Sequence, residues 1–332
     1  MSFPFPAVLF LACLLDALFG DPRWLPHPVR MIGWAAVWAE TFTRRLPLSA
    51  FNSGRLTVLL VLLSTGGVCA FFFVLLDLLP RPFFLLGAAV LLYTSIAARD
   101  LLHHTQQVAD ALDVNIRTAR QQVGMIVGRD TDRLDEAGVI RACVESVAEN
   151  MSDGIIAPIF WAVTGAFAAQ QFGGDAVVWG VTAAMLYKAV NTMDSMFGYT
   201  NEQYLQFGFC PARLDDAVNF FPARLSGITL VAAAFLCGNN AGNSWRILLR
   251  DRQQHSSPNA GWPEAAMAGA LGLQLGGTSS YFGRTCYKPT LGDPLDSPGK
   301  KHIRMANTLV LTASLLCLLL FSSLYIVGTL LF

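Results

Sequence analysis

The chain alternates long uncharged apolar runs with polar blocks that carry nearly all of its charge. Crossing a hydrocarbon core of ~30 Å takes about 20 apolar residues in a helix. Leu56–Leu79 and Thr308–Phe332 meet that length, while Phe3–Phe19 and Phe83–Ala98 are shorter candidates. Gly154–Phe172 and Ala176–Val190 predict a tight helical hairpin turned by Gly173, Gly174 and Asp175. Leu225–Gly238 is short enough to dip into a membrane and return. Ala265–Gly277 is rich in Ala and Gly, and Gly272 and Gly276 have the spacing that lets two helices approach closely. The pattern predicts an all-α polytopic integral membrane protein with about five to seven membrane helices.

The polar blocks run over about 21–55, 99–153, 191–224 and 246–304, and every Lys and Arg except Arg81 lies in or beside them. Basic loops stay on the cytoplasmic face. The blocks are therefore expected as helical segments on that face, with Leu225–Gly238 re-entrant. Phe3–Phe19 has no basic leader, contains Asp16 and runs into Gly20-Asp21-Pro22 without a small-residue cleavage site. It predicts a first membrane helix, not a signal peptide. With no repeat and no linker, one domain is expected over 1–332.

Composition sharpens the class. Hydrophobic residues make up 54% and charged residues 14% of the 332, against roughly 25% charge in soluble domains. Lys+Arg 23 balances Asp+Glu 23, leaving no field for nucleic acid. The seven cysteines are scattered without a C-x-x-C pair and the five histidines are dispersed, which argues against zinc or a disulfide framework. No P-loop, dinucleotide fingerprint, H-E-x-x-H or G-x-S-x-G occurs.

Four clusters carry candidate chemistry. The first joins Gly128-Arg129-Asp130-Thr131 to Arg141, Glu145, Glu149, Asn150 and Asp153. Four residues turn a helix by ~40° beyond a full circle, so Arg141, Glu145 and Glu149 form one stripe. Carboxylates at i and i+4 repel, and a divalent ion or Arg141 would offset that. A solvated face with an internal ion pair is the competing account, weakened because the helix runs into an apolar span. The second is Tyr187-Lys188 with Asn191 and Asp194. Lys188 binds a phosphate or carboxylate, or else snorkels to the interface. The third, Arg213, Asp215, Asp216, Asn219 and Arg224, offers oxygen ligands suited to Mg²⁺, although a helix cap uses the same residues. The fourth, His255-Ser256-Ser257-Pro258-Asn259 through Glu264, either presents N–H groups to a phosphate or caps a turn.

These motifs together resemble the adenosylcobinamide-phosphate synthases of cobalamin biosynthesis, the CbiB/CobD family. The match includes Gly20-Asp21-Pro22, Pro26-His27-Pro28-Val29-Arg30, Val127 to Thr131 and Val144 to Asn150 with Asp153-Gly154. Tyr187 to Tyr199, Arg213 with Asp215-Asp216, and the run from His255 to Gly277 complete it. The resemblance covers about Asp16 to Gly283. It implies an enzyme that uses ATP and Mg²⁺ to join (R)-1-amino-2-propanol O-2-phosphate, or aminopropanol, to a propionate carboxylate of adenosylcobyric acid through an acyl phosphate.

On that resemblance Glu145, Glu149, Asp153, Asp215 and Asp216 are expected around Mg²⁺. Arg129, Arg141, Lys188, Arg213 and Arg224 are expected on phosphates, with Asn150, Asn191, Ser257, Asn259, His27 and Arg30 in the substrate site. Asp130 or Asp194 would take the amine proton, with His27 and His255 as weaker candidates. The corrin would pack near Trp24, Trp34, Trp161 and Trp262, for which interfacial anchoring is the rival account. The expected location is the cell inner membrane, with the bilayer and other cobalamin-pathway membrane enzymes as partners and no nucleic acid. A non-catalytic membrane regulator and a corrinoid transporter are the alternatives.

Overall fold

The structure is a computed structural model that describes residues 4–22, 27–199, 201–281 and 283–331. In chain order its helices are α1 (Pro4–Phe19), α2 (Pro28–Thr43), α3 (Ala50–Asp77), α4 (Arg81–Tyr93), α5 (Ala98–Val114), α6 (Ile116–Val123) and α7 (Glu136–Met151). A π-helical turn, Ser152–Ile156, links α7 to α8 (Ala157–Phe172). Then follow α9 (Ala176–Phe197), α10 (Phe209–Val218), α11 (Phe220–Leu236), α12 (Ala241–Asp251) and α13 (Gly261–Leu271). One antiparallel hairpin, β1 (Leu275–Tyr281) with β2 (Arg284–Leu291), precedes α14 (Lys300–Leu331).

Four stretches among the described residues are long and apolar enough to cross a membrane: Ala50–Asp77, Arg81–Val114, Glu136–Phe172 and Lys300–Leu331. A fifth arises if Phe209–Val218 and Phe220–Leu236 are one broken span, and Pro4–Phe19 is a shorter apolar helix. The chain is an all-α polytopic membrane protein apart from the hairpin. It divides into two compact units: residues 1–97, 157–219 and 320–332 form one, and 98–156 with 220–319 form the other.

In the first unit, α3 starts where the Ser49 hydroxyl accepts the Asn52 N–H at 3.3 Å, then runs uncharged from Leu56 to Leu76. Helices α8 and α9 form the hairpin that the apolar pattern predicts. Gly173 and Gly174 take φ values of 80° and 138°, which only glycine adopts freely. Asp175 then caps α9 by accepting the Val177 N–H at 2.7 Å and pairs with Arg81 at 2.7 Å. Small residues bring the two helices close: a Cβ on Gly165 would lie 2.5 Å from the Trp179 carbonyl oxygen and 2.7 Å from the Ala183 Cβ.

In the second unit, α12 and α13 are stitched by Asn243 Nδ2 to Gly269 O and Ser244 Oγ to Ala266 O, both at 2.7 Å. The expectation of a helix through Ala265–Gly277 is corrected here. Helix α13 stops at Leu271 because Gly272 turns left-handed (φ 65°). Gly276 and Gly277, at φ 81° and 84°, then open β1 with a bulge. Their small size serves backbone conformation, not helix packing. The base of the hairpin is tied down electrostatically. Arg250 grips Asp251 at 2.7 and 2.8 Å and Asp293 at 2.9 Å, and Asp251 accepts the Gly292 N–H at 2.8 Å.

Candidate active site

Helix α7 begins at Asp135, whose carboxylate accepts the Gly138 N–H at 2.7 Å, and it carries Arg141, Glu145 and Glu149 at four-residue intervals. Glu145 is 4% exposed. A buried carboxylate needs partners for both oxygens, and Glu145 has them. Oε2 pairs with Arg129 Nη2, and Oε1 accepts the Gly276 N–H at 2.7 Å. The cation that offsets Glu145 is thus Arg129, whereas Arg141 is half-buried and makes no ion pair among the described residues. Arg129 also donates to Ser279 Oγ at 3.3 Å.

Asp130 binds the hairpin as well. Its Oδ2 accepts Ser280 Oγ at 2.7 Å and the Gly283 N–H at 2.8 Å, and its own N–H donates to Ser280 O at 2.8 Å. A carboxylate engaged this way holds a turn in place.

Two residues outside the expected set complete the centre. Glu264, in the first turn of α13, is 5% exposed and stands in an otherwise apolar helix. Burial first, and then the charges of Glu145 and Glu149, push its carboxyl well above the usual range against the pull of Lys288 and Arg129. Lys288, on β2, acts on the glutamates and on His255. His255 Nε2 lies 3.7 Å from Glu264 Oε1, and its Nδ1 accepts the Ser257 N–H at 3.0 Å. The neutral ring therefore carries its proton on Nε2, facing Glu264. Burial and the Lys288 charge hold the imidazole below its ordinary value, so it is neutral at physiological pH.

Around this centre Asn150 is exposed and donates to Ser146 O at 2.9 Å, and Asp153 is half-buried in the π-helical turn. Ser257 Oγ accepts the N–H groups of Asn259 and Ala260, both at 3.2 Å, which is a turn cap. Asn259 Oδ1 accepts Arg224 Nη1 at 3.3 Å.

The first unit holds a separate group. Asp215 Oδ2 accepts Asn219 Nδ2 at 2.9 Å, Asn219 Oδ1 accepts the Tyr187 hydroxyl at 3.0 Å, and Asn191 Nδ2 reaches Asp215 Oδ1 at 3.4 Å. Neighbouring helix positions point ~100° apart. Asp215 is accordingly buried toward α9, while Asp216 is half-buried beside Arg213 at 3.5 Å. Lys188 and Asp194 are half-buried on α9. His27 is buried and pairs with Asp21 at 2.9 Å, and Arg30 is exposed. Of the tryptophans, Trp34 is exposed, Trp161 donates to Val218 O at 3.1 Å, and Trp24 lies outside the described residues.

Among the described residues no group of three or more His, Cys, Asp and Glu is arranged to hold a metal ion. Mg²⁺ usually keeps several waters and takes one or two carboxylates with substrate phosphates. Exposed Glu149 fits that mode of binding.

Fold and site define a polytopic helical membrane protein with two buried glutamates, Glu145 and Glu264, and the exposed Glu149, offset by Arg129 and Lys288, at a glycine-rich hairpin. The family model described as CobD/Cbib protein matches residues 9–310. A Desulfotalea psychrophila protein named cobalamin biosynthesis protein CobD is 46% identical over 319 residues, covering 96% of this chain and 97% of the relative. Proteins of the same name from Geobacter metallireducens (48% identical, 87% of each chain) and Listeria monocytogenes (40%, covering 94% and 96%) are similar to it too. The chain belongs to the CobD/Cbib family. No solved structure matches it.

Proposed function

We propose that this enzyme works in cobalamin biosynthesis and joins aminopropanol phosphate to a propionate carboxylate of adenosylcobyric acid, consuming ATP and giving adenosylcobinamide phosphate. The supporting observation is the cluster of Glu145, Glu149 and Glu264 with Arg129, Lys288 and His255 in one unit. A carboxylate at neutral pH is a poor acyl donor. Its oxygen attacks the terminal phosphorus of ATP, ADP leaves, and an acyl phosphate forms. A base first takes one proton from the ammonium, because only the free amine can attack. The amine then attacks the acyl carbon, phosphate departs as the leaving group, and the nitrogen gives up its second proton.

Lys288 and Arg129 supply positive charge where the transferred phosphoryl group gathers negative charge. Glu264, with its carboxyl raised by burial and the neighbouring glutamates and the His255 Nε2 proton facing Oε1, is placed to hold or accept a proton. Asp130 keeps the hairpin glycines over the cluster. Glu149, with Glu145 or Asp153, would hold Mg²⁺, which when bound offsets phosphate charge. The distribution of Lys and Arg supports a cytoplasmic-facing site in the inner membrane.

The test is product formation by mass spectrometry. Purified protein receives adenosylcobyric acid, aminopropanol phosphate, ATP and Mg²⁺, each omitted in turn. The expected result is product and matching ADP only when all four are present. Saturable corrinoid binding without product overturns the reading in favour of a carrier or regulator.

A further inference from the structure

Two arginines of the second unit stand on one tryptophan ring with no carboxylate paired to either among the described residues. Arg224, on α11, places its guanidinium 3.4 Å from the Phe220 ring centroid and 4.9 Å from that of Trp262. Arg252, just past α12, lies 5.1 Å from the same Trp262 ring. Their polar contacts go to neutral acceptors: Arg224 to Phe220 O at 2.6 Å and Asn259 Oδ1, and Arg252 to Leu249 O. Neither makes an ion pair among the described residues, and the two differ from other unpaired arginines of the unit in sharing one aromatic ring.

The Arg252 charge acts on Arg224 directly. Like charges held together on one aromatic ring are unfavourable by themselves, and an anion between them reverses the sign. Trp262 occupies the first turn of α13, whose N-terminal end adds partial positive charge to the same place. The position is tied to the catalytic cluster. A Cβ on Gly261 would meet the Arg252 carbonyl oxygen at 2.3 Å and the His255 Cβ at 2.9 Å. The arginine backbone is therefore packed onto the turn carrying His255, whose ring faces Glu264.

We propose that Arg224 and Arg252, stacked on Trp262 at the start of α13, form a phosphate-binding subsite beside the glutamate cluster. It would take a phosphate monoester or the terminal phosphates of a nucleotide. The inference rests on the ligase reading above for the identity of its ligand, and on the uncompensated arginines for its existence. Arg224 is among the residues the family resemblance places on phosphates, whereas Arg252 and its shared stacking on Trp262 come to notice only in the folded chain.

The experiment compares the full-length protein with Arg252→Gln, Arg252→Lys and Arg224→Gln in detergent. Turnover is measured while ATP and aminopropanol phosphate are varied separately, with unphosphorylated aminopropanol as a further arm. The glutamine variants should raise KM for one phosphorylated substrate about tenfold or more, the cost of one charge-assisted contact. The change in kcat should be small, and lysine should recover part of the loss. Which KM moves names the source, and a shift for aminopropanol phosphate absent with aminopropanol assigns the monoester.

Binding of ATP and of inorganic phosphate, followed by calorimetry, does not depend on turnover. Lost binding in Arg252→Gln with no product from any protein would sustain the subsite and reject the ligase. Unchanged KM and unchanged binding in both glutamine variants, with thermal midpoints equal to the parent, overturn the inference. So does weakened binding of phosphatidylglycerol with the soluble phosphates unaffected, which would make the arginines a lipid-headgroup contact.

Discussion

Glu264 is the one ionisable residue of the otherwise apolar α13, and its nearest charged company includes two more glutamates. Its carboxyl is raised by burial and by those charges. Such a group contributes its full stability below the unfolded value of ~4.3 and loses it as pH rises through the folded one. Glu264→Gln removes the penalty while keeping the shape. Thermal unfolding in detergent should therefore show the variant gaining on the parent as pH rises from 5 to 8, while product formation falls on the order of 10²-fold. Equal activity would remove Glu264 from the reaction, and a midpoint difference constant with pH would contradict its raised carboxyl. A lone acid in an apolar helix is a signal that the sequence does contain. It is hard to weigh there because α13 also reads as a packing helix.

At the scale of elements, helix approach is set by where a side chain is missing. Gly165→Ala places a methyl within 2.5 Å of the Trp179 carbonyl oxygen, and overpacking of this kind costs about 1–3 kcal/mol. Gly67→Ala, on exposed α3 with no atom within 4 Å of the added Cβ, should be neutral or stabilising by about 0.5–1 kcal/mol. Gly165→Ala should lower the unfolding midpoint while Gly67→Ala leaves it unchanged or raises it, and equal shifts would reject the close α8–α9 approach. The α8–α9 hairpin was legible because its apolar runs, paired glycines and Asp175 cap are contiguous. The β-hairpin was not. Leu275–Tyr281 has too few β-branched residues to stand out, and its glycines match helix packing as well as a bulge. Pairing with Arg284–Leu291 and anchoring through Asp251 decide its form.

For the whole molecule, the distribution of Lys and Arg makes a claim about sidedness that vesicles can check. Cys286 on β2 is exposed and belongs to the polar block assigned to the cytoplasm. Leu79, half exposed in the turn before α4, is expected on the opposite face. In otherwise cysteine-free proteins, a membrane-impermeant maleimide should label Cys286 several-fold more in inside-out vesicles than in intact cells. Leu79→Cys should do the reverse, and labelling of both from one side would reject the arrangement.

The apolar runs, the clustering of basic residues and the Arg141–Glu145–Glu149 stripe follow from local order alone, because span length and helical period are properties of neighbouring residues. The family resemblance is equally linear, since its motifs occur in order along the chain. Tertiary structure decided what surrounds those motifs. Glu145 meets Gly276 across 131 residues and Arg129 meets Ser279 across 150, separations at which no periodicity carries information. Likewise, only the fold sets Glu264 and Lys288 beside Glu145, makes Arg129 the cation that offsets it, and gives Asp215 and Asp216 different surroundings. Local pattern determines which segments become helices, whereas burial makes a charge need a partner, and the partner comes from wherever the chain returns.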